Sequence, residues 1–130
     1  FNEHFQEYQT YWTGEHGRAY FYQCETPYDA PSQEYYMSEN GTRTGYAAYK
    51  VADNVNTHEA FAFGIYDVLH NEIMIENSIE VPDKMYHMCN NTLSGGGAKG
   101  FNYILNGIGK STYKTHHDYR AYIDEFIGKR

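Results

Sequence analysis

Short strand-like segments, separated by polar or glycine-containing turns, follow one another along most of the chain. They are Arg18 to Glu25, Ala47 to Ala52, Ala60 to Val68, Glu72 to Val81, Met85 to Leu93 and Phe101 to Ile108. In the fourth segment, apolar side chains at odd positions alternate with polar ones, which is typical of a strand with one buried face. The pattern predicts an all-β fold and permits a sandwich, a barrel or a parallel β-helix. No short exact repeat is present, which excludes only the regular hexapeptide type of β-helix.

Three other segments lack a clear strand pattern. Residues Phe5 to Trp12 are ambiguous, and Tyr35 to Gly45 is expected to be a polar loop. At the end of the chain, apolar side chains fall on one helical face, with Gly128 placed as a C-cap. These side chains are Tyr119, Tyr122, Ile123, Phe126 and Ile127. The tail, residues 111–130, is therefore predicted to contain a short helix.

Length and charge exclude several classes of protein. The chain has 130 residues, which suits one domain or a piece of one. Its net charge is -7, and binding to phosphate backbones needs a basic face, so a nucleic-acid partner is not expected. No apolar run approaches the roughly 20 residues that span a bilayer. Aromatic residues make up 18% of the chain and include 15 Tyr, a composition found in carbohydrate grooves and also in β-rich cores.

One carboxylate, Glu25, lies between an aromatic strand and a turn, within the segment FYQCETPYDAPSQ. Pro27 ends the strand because it has no N–H group to donate. A partly desolvated carboxyl beside aromatic rings is where a sugar-cleaving site would keep its proton donor, since burial raises a carboxyl pKa. The alternative is an ordinary surface glutamate next to a turn.

Several features indicate an extracellular protein. The chain begins at Phe1 without an initiator Met, and two N-x-Thr sequons, at Asn40 and Asn90, lie in turn-like sequence. Cys24 and Cys89 are the only cysteines. They either close a long loop as a disulfide, worth on the order of 4 kcal/mol in the loop-entropy model, or remain buried free thiols. The chain is expected to be secreted, and to be a fragment or a processed subunit.

No metal or cofactor site is expected. His58-Glu59 lacks a second histidine four residues on, so a stacked structural His58 is the better interpretation. The remaining loop histidines have no ligand spacing, and SGGGAKG lacks the spacing of a phosphate-binding loop. Three acids near the fourth segment are expected to be solvated edge charges: Glu76, Glu80 and Asp83.

Taken together, six elements occur in an order that resembles one enzyme family. They are NEH from Asn2, WTG from Trp12 with Gly17-Arg18, FYQCETPYDAPSQ from Phe21, GYAAYKVADNVNTHEAFAFGIY from Gly45, ENSIEVPD from Glu76 and ILNGIG from Ile104. The chain is identified on these elements as similar to glycoside hydrolase family 55, the β-1,3-glucanases. The resemblance covers about 110 of the 130 residues. It implies a right-handed parallel β-helix over residues 1–110, as the last part of the second of two tandem helices.

The resemblance also implies roles for particular residues. Glu25 corresponds to the general acid and Glu3 to a carboxylate associated with the hydrolytic water. The family inverts configuration, and inverting pairs stand about 6.5–9.5 Å apart to admit that water. Tyr28 is expected to stack on the glucosyl unit being cut, while Gln23 and Trp12 are expected to contact the substrate. The implied ligand is a β-1,3-glucan or oligosaccharide.

The chain departs from the family pattern at a few positions. Phe61 stands where tryptophan is favoured, Ala62 where glycine is usual, and Cys24 where small polar residues are more common. Two functions remain open at this level: part of a glucan hydrolase, or a non-catalytic glycoprotein that uses a β-helix as a structural scaffold. An isolated end of a β-helix would expose strand edges, so a partner is expected. That partner would be a missing N-terminal portion or neighbouring subunits.

Overall fold

The protein is all-β throughout the part that the computed structural model describes, which comprises residues 1–83, 86–96, 99–113 and 120–127. Side chains are described for these ranges except at 86–96 and 124–127. The strands are β1 (Asn2–Glu3), β2 (Thr10–Trp12), β3 (Gly17–Tyr20), β4 (Gln23–Glu25), β5 (Met37–Ser38), β6 (Arg43–Thr44), β7 (Tyr49–Val51), β8 (Thr57–Phe61), β9 (Gly64–Asp67), β10 (Met74–Glu80), β11 (Tyr86–Gly96), β12 (Gly100–Leu105) and β13 (Arg120–Ile127). None of the described residues lies in a helix, so no helix among them could cross a membrane.

Two sheets of mainly parallel strands hold the fold together. In the larger sheet the order is β1-β4-β9-β11-β8-β3, and in the smaller it is β12-β10-β7-β2. The long strand β11 pairs with β8 along its first half and with β9 along its second half. Strands β5 and β6 form a separate antiparallel hairpin.

The register shows that the chain returns to lie beside itself. In the larger sheet, Cys24 pairs with Asn2 and then with Ile65, which are 22 and 41 residues away in sequence. In the smaller sheet, Tyr49 pairs with Thr10 and Ile79, which are 39 and 30 residues away. Because the spacing changes with every return, no exact repeat is visible in the sequence.

Two segments that were expected to be single strands are each broken by a left-handed residue. Phe21 has a φ of 55° between β3 and β4, and Ala62 has a φ of 57° between β8 and β9. Each such residue shifts the in–out alternation by one position. The positions that face outward are therefore those of Tyr20 and Gln23 on one pass, and of Phe61 and Gly64 on the next.

The hydrophobic core lies between the sheets. Cys24 and Ile65 from the larger sheet and Ile75 and Phe101 from the smaller one have no exposed surface. The odd-position register expected for the fourth segment is confirmed, because its isoleucines and Val81 are buried. The even positions are partly covered as well, since the β5–β6 hairpin lies over that face of the sheet.

The segment Tyr35 to Gly45 is therefore not simply a loop, and Glu80 is not a solvated edge charge. Glu80 is 3% exposed, and its Oε1 lies 2.8 Å from a guanidinium nitrogen of Arg43 on β6. Its Oε2 lies 3.4 Å from Nζ of Lys50, which also pairs with Glu39 in the hairpin. The buried carboxylate of Glu80 is therefore paired with a cation from the hairpin, Arg43, and a cation from the sheet, Lys50. Buried charges are tolerated when they are paired in this way.

The predicted C-terminal helix is wrong. Residues Arg120–Ile127 form β13, antiparallel to β11, with Ala121 and Ile123 buried and Tyr122 exposed between them. Pairing along the free edge of β11 decides the structure over the helical periodicity of the sequence. Tyr119 and Gly128, the proposed limits of the helix, lie outside the described residues.

We expect Glu80→Gln to lower the free energy of unfolding by about 2 kcal/mol, because it removes one partner of a buried charge pair. Urea unfolding of the complete polypeptide that carries this chain, monitored by circular dichroism, measures the change. The matched control is Glu72→Gln, whose side chain is 84% exposed and 3.9 Å from Lys99; it should change stability by less than about 0.5 kcal/mol. Equal effects of the two substitutions would contradict the role of Glu80.

Candidate functional site

Strands β1 and β4 place two carboxylates on one face of the larger sheet. Glu3 and Glu25 are register partners in the parallel pairing of these strands. Directly paired residues of parallel strands point to the same face, with the strands about 4.8 Å apart. Since Cys24 is fully buried, its neighbours Gln23 and Glu25 face outward. The arrangement brings Glu3, Gln23 and Glu25 together, as three of the expected site residues.

An amide group orients the first of these carboxylates. Gln23 donates a hydrogen bond from Nε2 to Oε1 of Glu3, over 3.1 Å. Glu3 is exposed, whereas Glu25 is half-buried. The two acids therefore occupy different environments although they are adjacent.

His4 contacts Glu25 and was not singled out among the site residues by sequence reasoning. Its backbone N–H donates to the carbonyl oxygen of Glu25, and its φ of 62° turns the chain at the end of β1. The imidazole Nδ1 lies 2.9 Å from the carbonyl oxygen of Thr26, and Nε2 lies 3.5 Å from Oε2 of Glu25. A carbonyl oxygen only accepts, so Nδ1 carries a proton and Nε2 is left to face the carboxyl group.

Tyr28 completes the surroundings of Glu25. Its hydroxyl donates to Oε2 of Glu25 over 3.5 Å. Its ring stacks on His4 with centroids 4.2 Å apart, and its centroid lies 5.4 Å from that of His70. His4, Tyr28 and His70 follow β1, β4 and β9, three adjacent strands, so the two imidazoles flank Tyr28 from opposite sides. Tyr28 is nonetheless 43% exposed, and its stacking on a glucosyl unit stays a prediction.

A buried polar pair supports the strand ends below the site. Thr26 donates from Oγ1 to Oδ1 of Asp67 over 2.9 Å, and accepts from the backbone N–H of Val68. Burial raises the pKa of Asp67, while hydrogen bonds from Leu69, Thr26 and Gly100 partly offset that effect. Thr26 thereby fixes the carbonyl that His4 contacts.

The structure does not place Trp12 with this group. Trp12 lies on β2, in the smaller sheet, where its ring packs 5.0 Å from that of His58 and its indole N–H donates to the carbonyl of Gly14. A Cβ at Gly17 would lie 2.4 Å from the indole nitrogen, so only glycine permits this packing. A substrate contact for Trp12 stays a prediction.

His58 is the stacked structural residue expected from the sequence. It is 1% exposed, and Nε2 lies 2.8 Å from the hydroxyl of Tyr49. Burial lowers the pKa of His58 to about 4, so the ring is neutral at pH 7. Among the described residues, no group of three or more His, Cys, Asp or Glu side chains is arranged to hold a metal ion.

Cys24 is a free, buried thiol, which is the second of the two states considered for it. Burial raises the pKa of its thiol to about 12, so it is a poor nucleophile. The side chain of Cys89 lies outside the described residues. Of the two sequons, Asn40 is exposed in the β5–β6 connection, whereas Asn90 falls within β11 rather than in a turn.

Comparison with known proteins identifies glucanases. The chain is 39% identical over 116 residues to an exo-β-1,3-glucanase of Streptomyces sp. (strain SirexAA-E / ActE), which covers 86% of this chain and 19% of that protein. The structure of sacteLam55A from Streptomyces sp. SirexAA-E superimposes with a TM-score of 0.82 at 33% identity, over 95% of this chain and 23% of the other. A variant of sacteLam55A in complex with glucose gives a TM-score of 0.80, at the same identity and coverage. No protein-family model matches. The chain spans about a fifth of the length of these relatives.

The neutral state of His58 predicts a loss of stability in acid. Its pKa is about 4 in the folded state and 6.5 ordinarily, so the unfolded chain binds more protons between these values. The contribution of His58 to the free energy of unfolding is complete above pH 6.5 and is lost as the pH falls toward 4. We expect wild type to lose on the order of 2 kcal/mol more than His58→Gln over this range.

Urea unfolding of wild type and His58→Gln, each in the complete polypeptide that carries this chain, at pH 7 and pH 4.5 measures the difference. Glutamine keeps a polar partner for Tyr49 but does not titrate, which makes it the appropriate reference. Parallel pH dependences of the two proteins would show that His58 has the same pKa in the folded and the unfolded chain, which would contradict the prediction.

Proposed function

Since this chain belongs to glycoside hydrolase family 55, we propose that it supplies the proton donor and one wall of the active site of a β-1,3-glucan hydrolase. The observation that carries the proposal is the in-register pair Glu3 and Glu25 on adjacent strands. The similarity to an exo-β-1,3-glucanase supports the substrate class. No cofactor takes part, and a purely structural glycoprotein is not favoured, because the similar proteins are named as glucanases.

In this mechanism Glu25 is the general acid. Its Oε2 accepts from Tyr28 and faces His4, so Oε1 is the oxygen left to give a proton to the glycosidic oxygen. When Glu25 becomes a carboxylate, the Tyr28 hydroxyl stabilises the new charge on Oε2. His4 is itself fixed beside this oxygen, because its Nδ1 bonds to the carbonyl oxygen of Thr26 and its backbone N–H bonds to the carbonyl oxygen of Glu25.

Glu3 is the partner that activates water. Its position beside Gln23 keeps one oxygen occupied as an acceptor, and its exposed side chain is accessible to water. A water held by Glu3 would attack the anomeric carbon from the face opposite to Glu25. This needs a gap of about 6.5–9.5 Å between the carboxyl groups, wider than the strand spacing, so the side chains must diverge outward.

The proposed fold is a right-handed parallel β-helix. Repeated parallel returns of the chain, in two sheets at once, support it. Left-handed single residues such as Phe21 and Ala62 make the corners between successive strands. We further propose that other coils of the β-helix, outside this part of the chain, complete the substrate groove.

Those other coils are the proposed partner. Strands β1, β2 and β3 each pair with only one described strand, so their second edges are free among the described residues. Free edges recruit further strands. We propose that a preceding N-terminal portion or neighbouring subunits pair with these edges. The protein is proposed to be extracellular, with a glycan on the exposed Asn40.

Glu25→Gln tests the acid. In the complete polypeptide or assembly that carries this chain, hydrolysis of laminarin should fall by about 10²–10⁴-fold, because glutamine cannot give a proton. Hydrolysis of β-glucosyl fluoride, whose leaving group needs no proton, should fall much less. Glu72→Gln serves as the control, and unchanged laminarin hydrolysis in Glu25→Gln would remove Glu25 from the role.

The free edges of β1, β2 and β3 lead to a second prediction. The isolated 130-residue chain should self-associate or remain partly unfolded, whereas a complex with its preceding coils should be monodisperse. Size-exclusion chromatography with light scattering distinguishes these states. A well-folded, monodisperse monomer of the isolated chain would contradict the proposed partner.

A further inference from the structure

Tyr66 lies directly beside the candidate acid on the outer face of the larger sheet. It is the register partner of Glu25, one strand further along the row that begins at Glu3. Its next partner in the row is Gly95, a residue without a side chain. Tyr66 is 38% exposed and stacks on no other aromatic ring among the described side chains.

The ring of Tyr66 lies along the sheet because Gly64 leaves room for it. A Cβ built at Gly64 would be 3.2 Å from the Tyr66 hydroxyl and 3.3 Å from Cε2 of the ring. The far end of the ring therefore rests over the glycine, and its exposed side is turned away from the sheet. Gly64 has no positive φ, so its absent side chain, rather than its backbone freedom, is what the geometry uses.

Other exposed aromatic rings near the site differ from Tyr66 in their neighbours. Tyr28 is 43% exposed, but its ring contacts the imidazoles of His4 and His70. Tyr20 is 63% exposed, but one face of its ring is stacked on Phe61, with centroids 5.1 Å apart and planes within 5°. Tyr66 is the register partner of Glu25, and none of the ring contacts among the described side chains involves it.

We propose that Tyr66, laid over Gly64, is the platform on which a glucosyl unit stacks beside the bond that Glu25 cleaves. The proposal rests on the function proposed above and deepens it by assigning the stacking role to Tyr66 in place of Tyr28. Tyrosine and tryptophan rings suit such contacts because they combine a large apolar face with a polar rim.

The surroundings of the platform select a class of sugar. A β-glucosyl ring has all its hydroxyls equatorial, so its C–H faces are flat and apolar and can lie on the ring. Gln23, across from Gly64, and Glu25, across from Tyr66, are placed to meet the equatorial hydroxyls. An axial hydroxyl on the stacked face would lift the sugar from the ring, and a charged uronic acid would meet Glu3 and Glu25. The site therefore suits neutral β-glucosyl units.

Binding of laminaritriose to the complete polypeptide tests the platform. Calorimetry is done in a Glu25→Gln background so that the ligand is not cleaved. Tyr66→Ala should weaken binding about tenfold, whereas Tyr66→Phe, which keeps the ring, should stay within about twofold. Gly64→Ala should weaken binding less than Tyr66→Ala does, because its methyl group lies 3.2 Å from the Tyr66 hydroxyl and shifts the ring by a few tenths of an ångström without removing it. Tyr35→Ala, at a 79% exposed tyrosine in a connecting segment, is the control and should bind as the background does.

The outcomes separate the two proposals. Equal affinity of Tyr66→Ala and the background overturns the platform, and leaves the hydrolase function standing. If Gly64→Ala binds laminaritriose normally while Tyr66→Ala does not, binding depends on the Tyr66 ring but not on its placement over Gly64. If the background protein binds no laminaritriose and wild type does not cleave laminarin, the proposed function and the platform fall together.

Discussion

The in-register parallel pairing of β1 with β4, and of β4 with β9, is the constraint on which the rest of the site depends. Parallel strands in register carry side chains of equivalent positions to the same face, one strand spacing apart. Residues far apart in sequence, Glu3, Glu25 and Tyr66, thereby form one row. A shift of one residue in either pairing would turn a carboxylate toward the core and bring an apolar side chain into the site.

The same pairing explains how the site is held rigid. His4, Tyr28 and His70 follow the three strands of the row, and their rings stack as a consequence. The Thr26–Asp67 hydrogen bond ties the ends of β4 and β9 beneath them. Buried, hydrogen-bonded polar groups of this kind fix one arrangement, because any other arrangement would leave them unsatisfied.

Much of the fold could be predicted from sequence, because alternation with period two is a local signal. Strands β7 and β10 lie within predicted segments, and the buried face of β10 is the predicted one. The errors arise where distant contacts decide. Pairing with β11 makes Arg120–Ile127 a strand, and the hairpin that covers β10 buries Glu80 with Arg43 and Lys50.

The site was only partly predictable for a related reason. Glu3, Glu25 and Gln23 could be found by resemblance to a family, and the register brings them together. His4 and Tyr66 could not be singled out, since their proximity to Glu25 depends on which residues pair across strands. The left-handed residues Phe21 and Ala62 also shift the alternation of inward and outward positions. Neither phenylalanine nor alanine is a residue type that predicts a positive φ.

The central claim is that Glu3 and Glu25 act from opposite faces of the sugar, one through water and the other by giving a proton. The most direct test is proton NMR of the first sugar released when the complete polypeptide cleaves a β-1,3-glucan, recorded before mutarotation equilibrates the anomers. The account predicts that the new reducing end appears first as the α-anomer. Initial release of the β-anomer would require a covalent intermediate and would contradict the assigned roles.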